Sequence, residues 1–487
     1  MSDVFSPLAI AKRMCVVVAS LLLGACIWPD FIKPEMPVPA AFKEAPASST
    51  GPWKSAEPAD GIPNGKWWEI FGDAELNKLA EQVEISNQNI RVSEAQFRQA
   101  QALTRQYRSE YFPVITANAS AVRSKPASNN ANLANYNPQI NTAYRATLGA
   151  SWEPDLWGRV RRLVEAGNAG ADASIGDLEA VKLSAQAEVA QYYFQLRVAD
   201  ASRKLLDETV AAYERTVQLT RNQYNVGVAA RADVVIAETQ LKSVRAQAVD
   251  IGVTRSQLEH AIAVLIGKAP ADFSLAPSTA PFTTLPPAIP VGVPSQLLER
   301  RPDIAAAERR TQAANAQIGV AKTAYFPALT LAPTMGYQNY SFGHLFDTPS
   351  FFWSIGPALA QTLFDGGLRK AQTAQAIAVY DQNAALYKQT ILGAFQEVED
   401  NLASLRILEE EAALQQEAVL SSRESVEITT NQYKSGIITY LDVVTVQTNA
   451  LNNERTALTI QGNRLVAAVT LVKALGGGWN INQLPAK

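Results

Sequence analysis

The sequence predicts an α+β membrane protein in which a transmembrane β-barrel is continuous with an α-helical barrel, and three observations carry that prediction. The chain repeats itself: NQYNVGVAARADVV at residues 222–235 returns as NQYKSGIITYLDVV at 431–444, with shared Asn, Gln, Tyr, Gly, Asp and two Val displaced by 209 positions. Each copy holds strand-length stretches in which apolar and polar side chains alternate every second residue. Each copy also holds a proline-free run of about 66 residues, longer than ordinary globular helices and suited to coiled-coil or barrel packing.

The amino terminus reads first. Lys12 and Arg13 precede an apolar run that ends in Leu23-Gly24-Ala25-Cys26, so residues 1–25 are expected to be a secretory signal, too short to span a membrane permanently. A cysteine directly after Leu-Gly-Ala resembles the bacterial lipoprotein box, which makes Cys26 the expected lipidation site and first residue of the mature chain. Ile27, rather than Asp, follows it and favours sorting to the outer membrane. Cys15 leaves with the signal, so no internal disulfide is expected and stability must come from packing. Residues 26–66, rich in Pro, Ala and Ser, form an extended lipidated segment.

Repeat 1 is expected over 67–268 and repeat 2 over 295–476, separated by a Pro-rich connector at 269–294 and followed by a tail at 477–487. Within repeat 1 a hairpin is expected at about 114–153: Tyr144, Ala146, Leu148, Ala150 and Trp152 share one face, and Arg145, Thr147, Gly149 and Ser151 the other. Within repeat 2 a second hairpin is expected at about 328–361, where Leu329, Leu331, Met335 and Tyr337 alternate with smaller or polar residues. Apolar-out strands of about ten residues with Tyr and Trp near their ends match outer-membrane barrel strands. The same period fits a soluble antiparallel sheet with one wet face, and the strands alone do not decide.

Four strands leave open edges, and unpaired backbone in lipid costs several kcal/mol per group. Three copies supply twelve strands, so a homotrimer is predicted. The long runs, from 159 to about 224 and from 368 to about 433, each give about 100 Å of helix. Residues 75–110 with 233–266, and 303–325 with 442–475, add up to nearly one more long helix apiece. Stacked end to end they make four staves per chain and twelve per trimer, a tube continuing the strands. Both helical ends of each hairpin then lie on one side of the membrane, and the polar loops 123–141 and 339–350 lie outside.

At this point the residues carry a resemblance. PSQLLERRPDIAAAE at 294–308, AANAQIGVAKTAYFP at 313–327, LFDGG at 363–367, QEVED at 396–400 and YLDVV at 440–444 resemble the signature of TolC/OprM-type outer-membrane factors, in particular the NodT-like efflux lipoproteins. The match spans essentially the whole mature chain. It implies a homotrimeric conduit with its β-barrel in the outer membrane and its α-barrel crossing the periplasm. The implied partners are a periplasmic adaptor (membrane fusion) protein, an inner-membrane pump of the resistance-nodulation-division type and outer-membrane lipid, and the implied cargo is drugs or other small toxic compounds.

Chemistry has little to stand on: His260 and His344 have no metal-ligand partners at standard spacing, and Gly476-Gly477-Gly478 lacks the Lys-Ser/Thr of a phosphate loop. No enzyme activity, metal or cofactor is expected, and a net charge of −3 gives no footprint for nucleic acid. The duplicated turn is the candidate site. Gly227 and Gly436 end long helices while Asp233 and Asp442 begin the next, and helix capping alone accounts for all four. The resemblance implies more: a periplasmic gate in which Asp442 presents a carboxylate to the pore and Asp233 accepts a hydrogen bond from Tyr433. Where some relatives carry an arginine gate partner this chain has Ile438, and spacing does not decide whether Arg231 replaces it. Val226, Gly227, Val228, Gly436, Ile437 and Ile438 form the expected adaptor-docking tip, apolar where a turn would otherwise be wet. Two other readings stay open, a duct for type I protein secretion and a trimeric structural surface protein.

Overall fold

The computed structural model describes residues 31–44, 65–125, 140–278, 280–289, 292 and 294–478. Cys26 and the signal segment lie outside the described residues, as do most of the 123–141 loop and the end of the tail. The chain runs α1 (Ala74–Ser86), α2 (Gln88–Ser109), β1 (Val114–Ser124), β2 (Asn141–Ser151), α3 (Arg159–Asn225), α4 (Arg231–Leu265), α5 (Pro294–Arg300) and α6 (Pro302–Thr323). It continues through β3 (Ala328–Leu331), β4 (Thr334–Asn339), β5 (Phe351–Ser354), β6 (Pro357–Ala360), α7 (Leu368–Lys434) and α8 (Tyr440–Ala474). The described residues group into two compact units, one drawn from 31–35, 97–173 and 307–387, the other from 36–96, 174–306 and 388–478.

The first unit carries the sheet. β1 and β2 pair antiparallel over eleven residues, from Val114↔Ser151 to Ser124↔Asn141, and the order continues β2-β4-β5. The second hairpin differs from two unbroken strands. Pro333 has no N–H to donate, so the third strand splits into β3 and β4 around it, while its carbonyl still accepts from Ala150 N at 2.9 Å. The fourth strand splits into β5 and β6 at Ile355-Gly356, and β3 pairs with β6 from Ala328↔Ala360 to Leu331↔Pro357. A bridge between Trp152 and Leu331 ties the two pieces into one four-strand arrangement. Register fixes the faces: Leu148, Met335 and Trp353 line up on one side, Thr147, Gly336 and Phe352 on the other. Every residue of β1 is exposed, so among the described residues nothing covers either of its faces. No helix among the described residues is long and apolar enough to cross a membrane.

The second unit holds the larger core. Trp67, Trp68 and Phe71 in a short 3-10 turn sink among α1, α3 and α8, with the Trp67 and Trp68 rings edge-on at 5.9 Å. Asp73 caps α1 by accepting from Glu75 N at 2.9 Å and Leu76 N at 3.1 Å, and it also takes the Tyr193 hydroxyl at 2.6 Å. The single helix expected from 75 to 110 breaks at Asn87, whose backbone is extended. The break has a function in packing: Asn87 Oδ1 caps α2 at Asn89 N and Ile90 N, and its Nδ2 reaches the last carbonyl of α4, Leu265 O, at 2.7 Å.

Repeat 2 solves the same problem with a different side chain. Between α5 and α6, Arg301 Nη1 donates to the last carbonyl of α8, Ala474 O, at 3.2 Å, while its fork grips both Asp303 oxygens and Glu397 Oε2. In both repeats a glycine passes this junction. Gly267 and Gly476 have φ of +70° and +94°, and a Cβ on either would fall 2.2 or 2.1 Å from the carbonyl oxygen of Ser86 or Arg300. The duplication visible in the letters is therefore a duplicated docking of a short helix end against a long hairpin.

The amino-terminal segment adds a strap to this unit. Phe42 is buried with Leu297, Val398 and Leu471, and the amides of Lys43 and Glu44 both donate to the Glu399 carboxylate, at 2.7 and 3.0 Å.

Candidate functional site

The duplicated turn sits at the end of the α3–α4 and α7–α8 hairpins, and the two copies close by the same bonds. Gly227, at φ +80°, allows Val228 N to reach back to Gln223 O at 2.8 Å and Gly227 N to reach Tyr224 O at 3.0 Å. Gly436, at φ +76°, does the same for Ile437 N to Gln432 O at 3.0 Å and Gly436 N to Tyr433 O at 2.9 Å. This is the Schellman closure, in which a left-handed glycine lets the chain satisfy the helix's last carbonyls.

The next helix starts three residues on. Asp233 Oδ2 accepts from Ala230 N at 3.2 Å; Asp442 Oδ2 accepts from Thr439 N at 3.1 Å and Thr439 Oγ1 at 2.7 Å. Both carboxylates satisfy a free amide at the positive end of a helix. Asp442 is exposed and Asp233 half-buried, so the two duplicated aspartates face different surroundings.

Behind the turns lies a core of Tyr213, Val217, Leu241, Tyr433, Tyr440 and Val443. The Tyr433 and Tyr440 rings meet at 5.4 Å with planes tilted by 57°. The expected Tyr433–Asp233 hydrogen bond is not formed. Among the described residues the buried Tyr433 hydroxyl has no hydrogen-bond partner, while Asp233 accepts at its own helix start and Thr220 donates its hydroxyl to Thr216 O at 3.0 Å. Burial raises the Tyr433 phenol pKa and the Asp233 carboxylate acts in the same direction, with Thr220 opposing. Burial raises that of Tyr440 as well, with Tyr213, Tyr433 and Asp233 adding to it.

Of the docking residues, Val226, Val228 and Ile437 are 75, 71 and 71% exposed, and Gly227 and Gly436 are exposed with them. Ile438 departs from the expected role: it is half-buried against the tyrosine core and so belongs to the packing behind the tip. Arg231 is exposed at the first position of α4, where its charge adds to that of Arg221 in lowering the Glu238 pKa.

Sequence reasoning missed the seam between the hairpins. Gln240 Nε2 donates to Thr448 Oγ1 at 2.9 Å, and Arg455 Nη1 donates to Gln247 Oε1 at 3.0 Å. The partners are spaced seven residues apart on both helices, the repeat of a coiled-coil seam. Each hairpin is also braced across its own helices, by Arg221–Glu238 and Arg245–Glu214 in the first and by Arg423–Glu454 in the second. The seven-residue spacing is readable in the letters; the pairing of α4 with α8 is not.

Residues 79–268 and 293–477 match the family described as outer membrane efflux protein. The chain is 32% identical over 469 residues to the probable efflux pump outer membrane protein TtgC of Pseudomonas putida, covering 96% of this chain and 95% of that protein. It is 30% identical over 463 residues to the outer membrane protein OprJ of Pseudomonas aeruginosa, covering 95% of each. Its structure is similar to that of the outer-membrane channel OprN, with a TM-score of 0.83 at 29% identity over 93% of this chain and 99% of that one. The helical hairpins with their duplicated turns, the four-strand sheet and these matches place the chain in the outer membrane efflux protein family.

Proposed function

We propose that this chain assembles as a homotrimer, lipidated at Cys26, into the exit duct of a tripartite efflux pump. Three four-strand sheets close a twelve-stranded barrel in the outer membrane, and twelve helical staves continue it through the periplasm. A periplasmic adaptor docks on the tip, an inner-membrane pump of the resistance-nodulation-division type supplies the energy, and drugs or other small toxic compounds leave passively. No step requires a catalytic residue or cofactor.

The observation that carries the reading is the tip itself. Three β-branched side chains, Val226, Val228 and Ile437, stand more than 70% exposed on two turns whose closing amides are bonded back to the preceding helix. Such turns need no apolar residues for their own closure, and exposed apolar clusters on an ordered surface mark interfaces. The helical hairpins of an adaptor supply a matching apolar face.

The gate belongs to the same reading. Asp442, exposed at the start of α8, presents three carboxylates to the pore of a trimer, while Asp233 stays at the helix start beside the Tyr433–Tyr440 pair. The test replaces Val228 and Ile437 together with Asp. Drug resistance is expected to be lost while the assembled protein remains in the outer membrane; retained resistance would place docking elsewhere. Thiol crosslinking from position 228 or 437 then identifies the partner, and capture of an adaptor from an ATP-driven protein exporter would move the assignment to secretion.

A further inference from the structure

The segment joining β4 to β5 reads as a polar loop in the sequence, yet the structure folds it into a knob. Asn339 Nδ2 donates to His344 O at 3.2 Å and to Ser350 Oγ at 2.7 Å, and Ser350 Oγ donates to the same His344 carbonyl at 2.8 Å. Ser341 N donates to Asn339 Oδ1 at 2.9 Å, and two 3-10 turns, Phe342–His344 and Thr348–Ser350, complete the wrap around the buried Leu345. His344 Nδ1 and Asp347 Oδ2 stand 2.8 Å apart at the surface. A knob bonded to itself in this way is held in one orientation.

That orientation is set by aromatic contacts. Phe342 meets Tyr144 edge-on at 5.3 Å, Phe346 meets Tyr337 edge-on at 5.4 Å, and Tyr337 meets Phe351 at 5.5 Å. Tyr144, Tyr337 and Phe351 lie on the face of the sheet that also carries Leu148, Met335 and Trp353. The knob therefore folds down over the apolar face and away from the face of Arg145, Thr147 and Gln338. Even so, Phe342 and Phe346 remain 68 and 66% exposed.

We propose that this loop is an anchor in the outer leaflet of the membrane, with Phe342 and Phe346 seated at the boundary between headgroups and acyl chains, and that it is not a lid on the pore. The inference rests on the reading that the sheet spans the outer membrane with its apolar face toward lipid. Three features select lipid as the occupant. The two exposed rings pack on Tyr144 and Tyr337, on the sheet face that carries Leu148, Met335 and Trp353. Interfacial belts of barrel proteins are built from aromatic rings at this level. Asn339, the Ser341 amide, the His344 carbonyl and the Ser350 hydroxyl bond one another, which lowers the cost of placing this segment at a poorly hydrated boundary. A pore lid would need the same rings on the opposite face of the strands.

Site-directed nitroxides test this in the full-length protein reconstituted into phosphatidylcholine vesicles. Phe342→Cys, Phe346→Cys, His344→Cys and Leu148→Cys are labelled, and relaxation by oxygen is compared with relaxation by a water-soluble nickel chelate. Labels at 148, 342 and 346 are expected to favour oxygen several-fold, and the label at 344 to favour nickel. Nickel access at 342 and 346 with oxygen preference at 148 would overturn the anchor and leave the spanning sheet standing. Exclusion of both reagents at 342 and 346 would mean that a neighbouring copy covers them, which also overturns it. Nickel preference at 148 would defeat the spanning reading itself. If the cysteine variants do not insert, the unaltered protein is photolabelled with phosphatidylcholine carrying a diazirine on an acyl carbon near the headgroup. Adducts on residues 342–346 support the anchor, and adducts confined to the strands overturn it.

Discussion

Gly267 and Gly476 show how a repeat is kept at single positions. Each combines a left-handed φ with a backbone oxygen close to where a Cβ would stand, so neither rotation nor side-chain adjustment relieves a substitution. Gly476→Ala is expected to cost on the order of 1–3 kcal/mol, as overpacking does, and Gly267→Ala a similar amount. Thermal loss of the helical circular dichroism signal in detergent checks both, and an unchanged midpoint would show that the helix ends move apart freely. Tyr433 poses the opposite case. Its buried hydroxyl makes no hydrogen bond, so Tyr433→Phe removes a desolvated polar group and is expected to leave stability unchanged or raise it by up to about 1 kcal/mol. A clear loss of stability would reveal a bond at this hydroxyl.

At the scale of elements, the long helices depend on how they begin. Asp365 Oδ1 accepts from Gly367 N at 2.9 Å, and its Oδ2 accepts from Arg369 Nε at 2.5 Å and Arg369 N at 3.3 Å, so one carboxylate organises the start of α7. The hydrogen bond from the Arg369 side chain lowers the Asp365 pKa below its ordinary value, with the backbone amides of Gly367 and Arg369 adding to this. A depressed carboxylate stabilises the folded form above its unfolded pKa, and that contribution fades as the pH falls through the lower, folded value. Amide exchange at Gly367 and Arg369 is therefore expected to gain an acid-dependent opening below the usual carboxylate range in the wild type. Asp365→Asn should show more opening near neutral pH and lack this acid dependence. A wild-type profile identical to that of the variant would remove the carboxylate from the account. The same scale explains the broken strands of the second hairpin, where Pro333 and the Ile355-Gly356 step interrupt pairing that β1 and β2 keep for eleven residues.

For the whole molecule, the duplicated aspartates give the clearest test of a conduit. In the proposed trimer, three Asp442 carboxylates at close quarters would attract cations and repel anions. Asp442→Asn is expected to lower cation-over-anion selectivity in planar bilayers severalfold, while Asp233→Asn, half-buried at its helix start, shifts it less. Equal effects of the two changes would place both side chains on the pore, and no effect of either would take the ring out of the conduction path. The proposed docking at the tip and the proposed anchoring at the 339–350 loop each depend on apolar residues that the fold leaves exposed.

Much of this was legible in the letters because it is written in local, periodic terms. The absence of proline and the helix-forming composition marked α3 and α7 to within a residue or two, and the glycine and aspartate of each turn announced where one helix stops and the next starts. Alternation assigned Leu148 and Thr147 to opposite faces before any sheet was drawn. What the sequence could not contain was which distant groups meet. Asn87 and Arg301 look unrelated, yet both reach the last carbonyl of a partner helix. Ile438 looked like its neighbour Ile437 but turned inward, and the Tyr433 hydroxyl is buried without the expected bond to Asp233, whose carboxylate caps its own helix. Local periodicity fixes how each segment folds, since its hydrogen bonds close within a few residues. Only the packing of segments far apart in the chain decides which buried polar groups are satisfied, which apolar ones are left outside, and so where this protein meets its membrane and its partners.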